Sequence, residues 1–324
     1  MAARTKTDNR SRGGFALVSV LWILAILTVM SLGFAGRAML ERRMAWYALD
    51  REQAQQKARA AAERGIFELR NKTAIDSFYD QGGHTGVDQR WAQRIDLFSE
   101  ARYFEGGTEA AEGNVCEVTI EDVERRISLD YSRREVLEGL KTVNDQAISR
   151  ILDLREQSTE GFQRALFHSV EELRGMQDFT TEQWEGAPGK PGLLEVLTVG
   201  GDPALGQINI NTAGAAVLQT LPGITPEVVQ QIVNLRNGPD GTPNTRDDVT
   251  FLSIPELSAK LDVSAEKLLG VNQFCKADSR FFTIKAHASR RRGKINAYCT
   301  VTVELSGAMP VVLAWKEGVV GASS

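Results

Sequence analysis

Cysteine and histidine are scarce in this chain. Its 324 residues hold three Cys (Cys116, Cys275, Cys299) and three His (His84, His168, His287), all widely separated. That pattern argues against a disulfide-stapled miniprotein and against a Cys/His zinc module, which need such residues in close, repeated spacing. A basic excess is missing as well, with 38 Lys plus Arg against 42 Asp plus Glu and a net charge of −4. A dedicated nucleic-acid binder, which displaces counterions with an excess of cations, is therefore disfavoured. No Gly-rich phosphate loop follows a strand, and no Ser/His/Asp or Cys/His arrangement stands out, so the sequence predicts no enzyme. Apolar residues at 42% and charged residues at 25% are ordinary for a globular protein and too polar for a multi-span membrane protein. The length suggests about two domains.

What the chain does have begins at its amino terminus. Residues 1–14 are polar, with Arg4, Lys6, Arg10 and Arg12 against the single Asp8, and end in Gly13-Gly14. From Phe15 to Gly36 there is no charge. As a helix this run reaches about 33 Å, enough to cross a hydrocarbon core, and in lipid it must be helical to pair its own backbone. A cleavable signal peptide is the simpler alternative, with Gly33-Phe34-Ala35 as a small-residue site. The continuation speaks against it. Residues 37–71 contain no Pro and only one Gly, and Ala54, Ala58, Ala61, Gly65 and Leu69 recur at spacings of three and four. That is one small apolar stripe on a helix, so Phe15 to Asn71 reads as one rod.

A basic leader ending in Gly, then Phe, then an apolar helix passing into an amphipathic one resembles the amino terminus of type IV pilins and pseudopilins. The resemblance implies that a prepilin peptidase cuts after Gly14 and leaves Phe15 as the first, N-methylated residue. Family members generally carry Glu at the fifth mature position, where this chain has Ser19. A carboxylate in a bilayer is costly unless paired, and its family partner is the terminal amine of the subunit above. Loss of that acid resembles the K-type minor pseudopilin (GspK) family of type II secretion, whose members are proposed tip subunits.

Residues 72–114 read as a loop-rich connection with a helical patch from Trp91 to Leu97. Residues 115–122 alternate, with Cys116, Val118 and Ile120 on one face, and predict a half-buried strand. An internal repeat follows. Shifted by 81, Ile127, Val136, Leu137, Leu140, Val143, Ile151, Leu154 and Arg155 fall on Ile208, Val217, Leu218, Leu221, Ile224, Ile232, Leu235 and Arg236. Shifted by 84, Phe167, Ser169, Val170 and Leu173 fall on Phe251, Ser253, Ile254 and Leu257. The matches are mostly apolar and keep helical spacing, so two copies of a helical unit are expected. The connector 195–210 reads as a short extended segment before the second unit.

The second copy carries a sharper motif. Thr212 is expected to cap a helix, Leu221-Pro222-Gly223-Ile224 to form a hairpin turn, and Thr225-Pro226-Glu227 to start the next helix. This resembles a helix-hairpin-helix unit of DNA-repair and DNA-uptake proteins, in which hairpin amides grip a phosphate. Here no Lys or Arg occurs from Asn211 to Leu235, and Glu227 lies at the helix start, which makes nucleic acid an unfavoured ligand. Lys141 and Thr142 replace the Pro-Gly turn in the first copy. Paired SAM-like helical units are also what K-type pseudopilins insert into their head. Asp240, Asp247 and Asp248, in a Gly/Pro/Asn-rich loop, could offer oxygens to calcium, a hard cation that accepts flexible loops. The spacing is not an EF-hand, and a solvated acidic turn is the alternative. Calcium sites in helical inserts are a feature the resemblance brings.

Residues 281–290, 295–305 and 309–315 are β-branched and aromatic and suggest an antiparallel meander. The Arg290–Arg292 run reads as a solvated hairpin tip. Cys275 and Cys299 could meet in an oxidising compartment and leave Cys116 free, but three pairings are open. The expected fold is α+β and type IV pilin-like: a long N-terminal helix on an antiparallel sheet, with an inserted all-α domain of two SAM-like or helix-hairpin-helix-like repeats. The expected divisions are a leader at 1–14, the rod at 15–71, the head at 72–125 and 271–324, the first repeat and connector at 126–206, and the second repeat with its acidic loop at 207–270. The resemblance implies a single-pass protein of the bacterial inner membrane with its globular part in the periplasm. Its implied partners are minor pseudopilins of the I, J and H types, the prepilin peptidase and the inner-membrane assembly platform. A membrane-anchored DNA-uptake protein is the alternative function; a minor pilin of a true type IV pilus is a third, against which the helical insert argues.

Overall fold

The computed structural model describes residues 12–78, 85–86, 89–97, 113–157, 167–203, 206–242, 247–261, 263–306 and 309–321. Helix α1 (Arg12–Phe78) is 67 residues long and outruns the expected rod at both ends. Its sequence lacks the Pro that would break the hydrogen-bond ladder. The chain divides into two compact units, residues 1–53 and 54–324. The first unit, where described, is helix alone, and its side chains from Leu17 to Phe34 are almost all solvent-exposed, Trp22 and Phe34 among them.

In the second unit the stem of α1 presents the small-residue stripe, and Ala54, Ala58, Ala61, Gly65 and Leu69 are all buried, as their spacing predicted. After the stem comes β1 (Ile95–Asp96), preceded by a 3₁₀ turn at Arg90–Ala92. The helical patch expected from Trp91 to Leu97 is thus only a turn leading into a strand. Trp91 sits edge-on to Phe282 at 5.1 Å, and Ile95 pairs with Val118. Strand β2 (Cys116–Asp122) alternates as expected, with Cys116, Val118, Ile120 and Asp122 inward.

The helical insert then leaves the sheet. Its first unit comprises β3 (Ile127–Ser128), α2 (Arg134–Glu138), α3 (Asp145–Gln157), a 3₁₀ turn at Val170–Gly175, α4 (Thr181–Glu185), β4 (Gly186–Ala187), β5 (Lys190–Pro191), α5 (Leu193–Val196) and β6 (Leu197–Thr198). The second comprises β7 (Ile208–Asn209), α6 (Ala215–Leu218), α7 (Pro226–Arg236), α8 (Ile254–Lys260), α9 (Leu269–Phe274) and β8 (Cys275–Lys276). The repeat read from sequence reappears in three dimensions. Strand β3 pairs with β6 and β7 with β8, both in parallel, so each unit is closed by a two-residue clasp. The connector expected to lead into the second unit therefore supplies, in Leu197–Thr198, the strand that closes the first. Likewise the second unit ends at Lys276 rather than at 270, because Cys275 and Lys276 pair with β7.

The repeated arginines do equivalent work. Arg155 donates to the carbonyls of Leu129 and Ser132, and Arg236 to those of Ile210 and Ala213, the positions 81 residues on. Burial lowers both guanidinium pKa values to about 10, so both remain charged and satisfy turn carbonyls that apolar neighbours leave without water.

The chain returns to the sheet with β9 (Phe281–Arg290), β10 (Ile295–Leu305) and β11 (Pro310–Gly321). The sheet order is β1-β2-β9-β10-β11, antiparallel throughout. β2 and β9 are neighbours with Asp122 opposite Phe282, so the insert starts and ends at one point of the sheet. Neighbouring ends let a long insertion join a finished sheet at little chain-entropy cost. Two cores result. One lies between the α1 stem and the sheet, around Leu69, Phe282, Ile284 and Val301. The other fills the insert, around Leu137, Ile148, Leu218, Ile232 and Phe251.

Gly65 explains how closely stem and sheet approach. A Cβ there would stand 2.6 Å from Cγ2 of Ile284 and 3.1 Å from Cγ2 of Val118. The three cysteines are buried and free. Cys275 lies in the insert core, away from Cys116 and Cys299 in the sheet core, so the pairing of Cys275 with Cys299 is not made. Cys116 and Cys299 are separated by the intervening strand β9, too far apart to bridge.

Candidate functional site

Three places carry the sequence-derived function, and the first is the apolar helix. Gly14 and Phe15 lie inside α1 by backbone, and residues 1–11 of the leader are outside the described residues. Ser19 is half-buried on the same helix. The helix is long and apolar enough to span a membrane, and none of its most apolar stretch is buried in the protein. Those properties fit a single-pass anchor.

The second place is the hairpin. Leu221 is buried, Gly223 has φ +74 at the exposed corner, Thr225 is the N-cap of α7, and Pro226 opens that helix. The positive φ gives Gly its reason here. Thr212 does not cap α6, whose N-cap is Gly214. Its hydroxyl donates instead to Asp122 at 2.6 Å. In the first unit Lys141 takes a positive φ of 54 where the second has Pro222, so that turn is built differently. At the start of α7 the Glu227 carboxyl is held below its usual range by the Thr225 hydroxyl and then by its own N–H. A phosphate grip uses the amides of a helix start, and here a carboxylate of the chain itself, Glu227, stands in that first turn. A groove of about 570 Å³ runs beside the turn, with Pro222, Gly223, Leu269 and Phe274 along it and Lys267 as the one cation among the described residues that line it.

The acidic loop is the third. Asp247 Oδ2 accepts from the Asp240 N–H at 3.1 Å, and Asp240 Oδ1 accepts from the Thr242 N–H at 2.7 Å. Asp240 and Asp247 are thus drawn into one turn, while residues 243–246 lie outside the described residues. Among the described residues no three His, Cys, Asp or Glu side chains converge as a metal site would require. In this arrangement two of the expected ligands bind backbone amides of the loop, as in an ordinary Asx turn.

A fourth cluster, absent from the sequence reading, joins sheet to insert. Asp122 is buried and accepts four hydrogen bonds: from Thr212 Oγ1 at 2.6 Å, Ser279 Oγ at 2.7 Å, Glu124 N at 2.8 Å and Asn209 Nδ2 at 3.0 Å. Beside it Glu124 accepts from Lys276 Nζ at 2.9 Å, from the Arg280 N–H at 2.7 Å and from the Asp202 N–H at 3.2 Å. Burial pushes the Glu124 carboxyl up to about 7, with Lys276 opposing. Asp122 is likewise raised by burial against its donors. These side chains come from every crossing between sheet and insert, so the cluster fixes one to the other. The signal available in sequence was alternation, which puts Asp122 on the same inward face as Val118 and Ile120.

Two comparisons with known proteins now bear on the whole. A helix-hairpin-helix motif model matches residues 204–248. The structure aligns with a chain of the solved GspK-GspI-GspJ complex from the type 2 secretion system of enterotoxigenic Escherichia coli. The TM-score is 0.55 at 13% identity, covering 86% of this chain and 99% of that one. No curated protein matches the chain by sequence. At that identity the likeness is one of fold, and the fold is GspK-like: a long helix, an antiparallel sheet and a helical part between its strands.

Proposed function

We propose that the protein is a K-type minor pseudopilin, seated at the tip of a type II secretion pseudopilus, where it supports initiation of the pseudopilus and export across the outer membrane. The observation that carries this reading is the alignment with a chain of the GspK-GspI-GspJ complex over 86% of this chain and 99% of that one. The apolar part of α1 anchors the protein once in the bacterial inner membrane, with the head and insert in the periplasm. Prepilin peptidase removes the leader after Gly14, and Phe15 becomes the methylated first residue. Ser19 gives the fifth mature position no carboxylate, so the helix needs no amine from a subunit above, which suits a tip. The work is mechanical: the stem and head hold neighbouring I-, J- and H-type subunits, and the inner-membrane platform drives assembly. Calcium belongs to the reading as well. Asp240 and Asp247 would give up their amide contacts and, with Asp248, take the ion, which relieves repulsion between carboxylates.

The helix-hairpin-helix match favours one other reading, DNA uptake. The carboxylate at the start of α7 opposes it, as does a groove in which Lys267 is the one cation among the described lining residues. The test mixes the full-length chain in detergent with the I- and J-type subunits of the same secretion system, and separately with duplex DNA at physiological salt. A stoichiometric complex and no DNA binding are expected. Micromolar, salt-sensitive DNA binding lost in Gly223→Asp, with no subunit complex, would transfer the assignment to DNA uptake.

A further inference from the structure

Strand β11 ends the sheet, and among the described residues it pairs with β10 alone. It is 12 residues long and bulges once, at Leu313, so on either side of that bulge its open side offers main-chain donors and acceptors. Edges of that kind are usually blunted by charge or by proline, because they recruit strands. Here Pro310 stands at one end, and Lys316 and Glu317 are the only charges in the strand. Glu317 is already held by Arg59 at 2.8 Å and Gln55 at 2.7 Å, which fasten that part of β11 to the α1 stem. The remainder is apolar and open: Val311, Val312, Leu313, Trp315 and Val320 are each 38–58% exposed.

Register assigns these side chains to both faces. Val312 and Trp315 lie opposite the fully buried Val303 and Val301, on the face turned to the stem. Val311 and Val320 lie opposite Glu304 and Asn296, on the outer face. A docking helix would cover one face and leave the main-chain edge unpaired. A strand satisfies the edge and extends both faces at once. We propose that β11 receives a β-strand from the head of a neighbouring subunit, which lengthens this sheet by main-chain pairing. The strand that fits is apolar on both faces, with an acidic residue placed to meet Lys316. This rests on the pseudopilin reading and adds the surface through which the neighbour is held.

The test measures amide hydrogen exchange of the full-length chain in detergent, alone and with the I- and J-type subunits. Binding is expected to slow exchange at least tenfold at alternate amides of Val311–Val320. Val311→Lys/Leu313→Lys should weaken the complex at least tenfold while leaving the chain's own thermal midpoint unchanged. Leu252→Lys, on an exposed leucine of the insert, should leave the complex intact. A wild-type complex with unchanged β11 exchange, or with full affinity in the β11 double variant, overturns the proposal. Slowing in the chain alone that grows with its concentration would assign the edge to a second copy and overturn it too. Failure of the wild-type chain to bind either subunit counts against the pseudopilin reading itself and takes this proposal with it.

Discussion

Replacing Asp122 by Ala tests whether the insert is held on the sheet by one buried cluster. The substitution removes the acceptor for four donors. Asn209 Nδ2 keeps the Thr85 carbonyl at 3.0 Å, so three donors lose their partner: the Thr212 and Ser279 hydroxyls and the Glu124 N–H. A buried donor left unsatisfied costs about 1–3 kcal/mol. Two terms reduce the total, since the hydroxyls can turn and the buried carboxylate no longer has to be desolvated. Taking the low end for each donor gives a loss of about 3 kcal/mol. Asp122→Asn keeps one oxygen but turns an amide toward these donors, so an intermediate loss is expected. Urea unfolding of the full chain in detergent gives the difference, and hydrogen exchange locates it. The expected signature is early exchange at β3, β7 and the residues around Ser279, with the interior of the sheet still protected. A loss below about 1 kcal/mol, or exchange that rises evenly everywhere, would refute the view that this cluster couples the two cores.

The Glu124 carboxyl, raised by burial to about 7, gives a pH dependence. A folded pKa above the unfolded one means the native state holds the proton more tightly, so stability rises as pH falls through 7. Between pH 8 and pH 6 the gain is about 1 kcal/mol, and Glu124→Gln should flatten it, as urea midpoints at the two pH values will register. Lys276 is shifted upward by Glu124 against its burial and does not titrate in that window. Gly65→Val drives a branched side chain into Ile284 and Val118 and should cost about 1–3 kcal/mol in urea unfolding; a neutral result would mean the stem is not seated as described. Calcium at a hundredfold its Kd should stabilise the full chain by about 2.7 kcal/mol, read as a rise in thermal midpoint that chelator reverses. A rise unchanged in Asp247→Ala/Asp248→Ala would place the ion elsewhere, and no rise in wild type would leave an acidic turn.

Much of this architecture was legible because it is periodic. Small residues at three- and four-residue spacing identified the buried stripe of α1, period-two alternation identified β2, and β-branched and aromatic runs identified β9, β10 and the start of β11. The repeat was visible because both units bury matching apolar positions at helical spacing, and the matched Arg155 and Arg236 each satisfy equivalent turn carbonyls in their own unit. The clasps were not visible. Leu197–Thr198 and Cys275–Lys276 are two-residue strands whose partners lie about 70 residues earlier, and two residues carry no period. Thr212 was assigned to a cap because local chemistry favours Thr there; its hydroxyl went instead to Asp122, 90 residues away. Trp91 to Leu97 looked helical in isolation, but Ile95 gains more by pairing with Val118. Of the candidate surfaces, the long apolar helix and the hairpin could be read locally. The open edge of β11 could not, since an edge is a property of sheet order.

The measurement that bears most directly on the central claim is the intact mass of the protein extracted from the membranes of its native cells. A pseudopilin is cut after Gly14 and methylated, so the account predicts residues 15–324 plus one methyl group, and a retained leader in Gly14→Ala. A protein that begins near Gly36 would have met a conventional signal peptidase, and one that keeps Met1 through Gly14 in the wild type would have met neither; each contradicts the account.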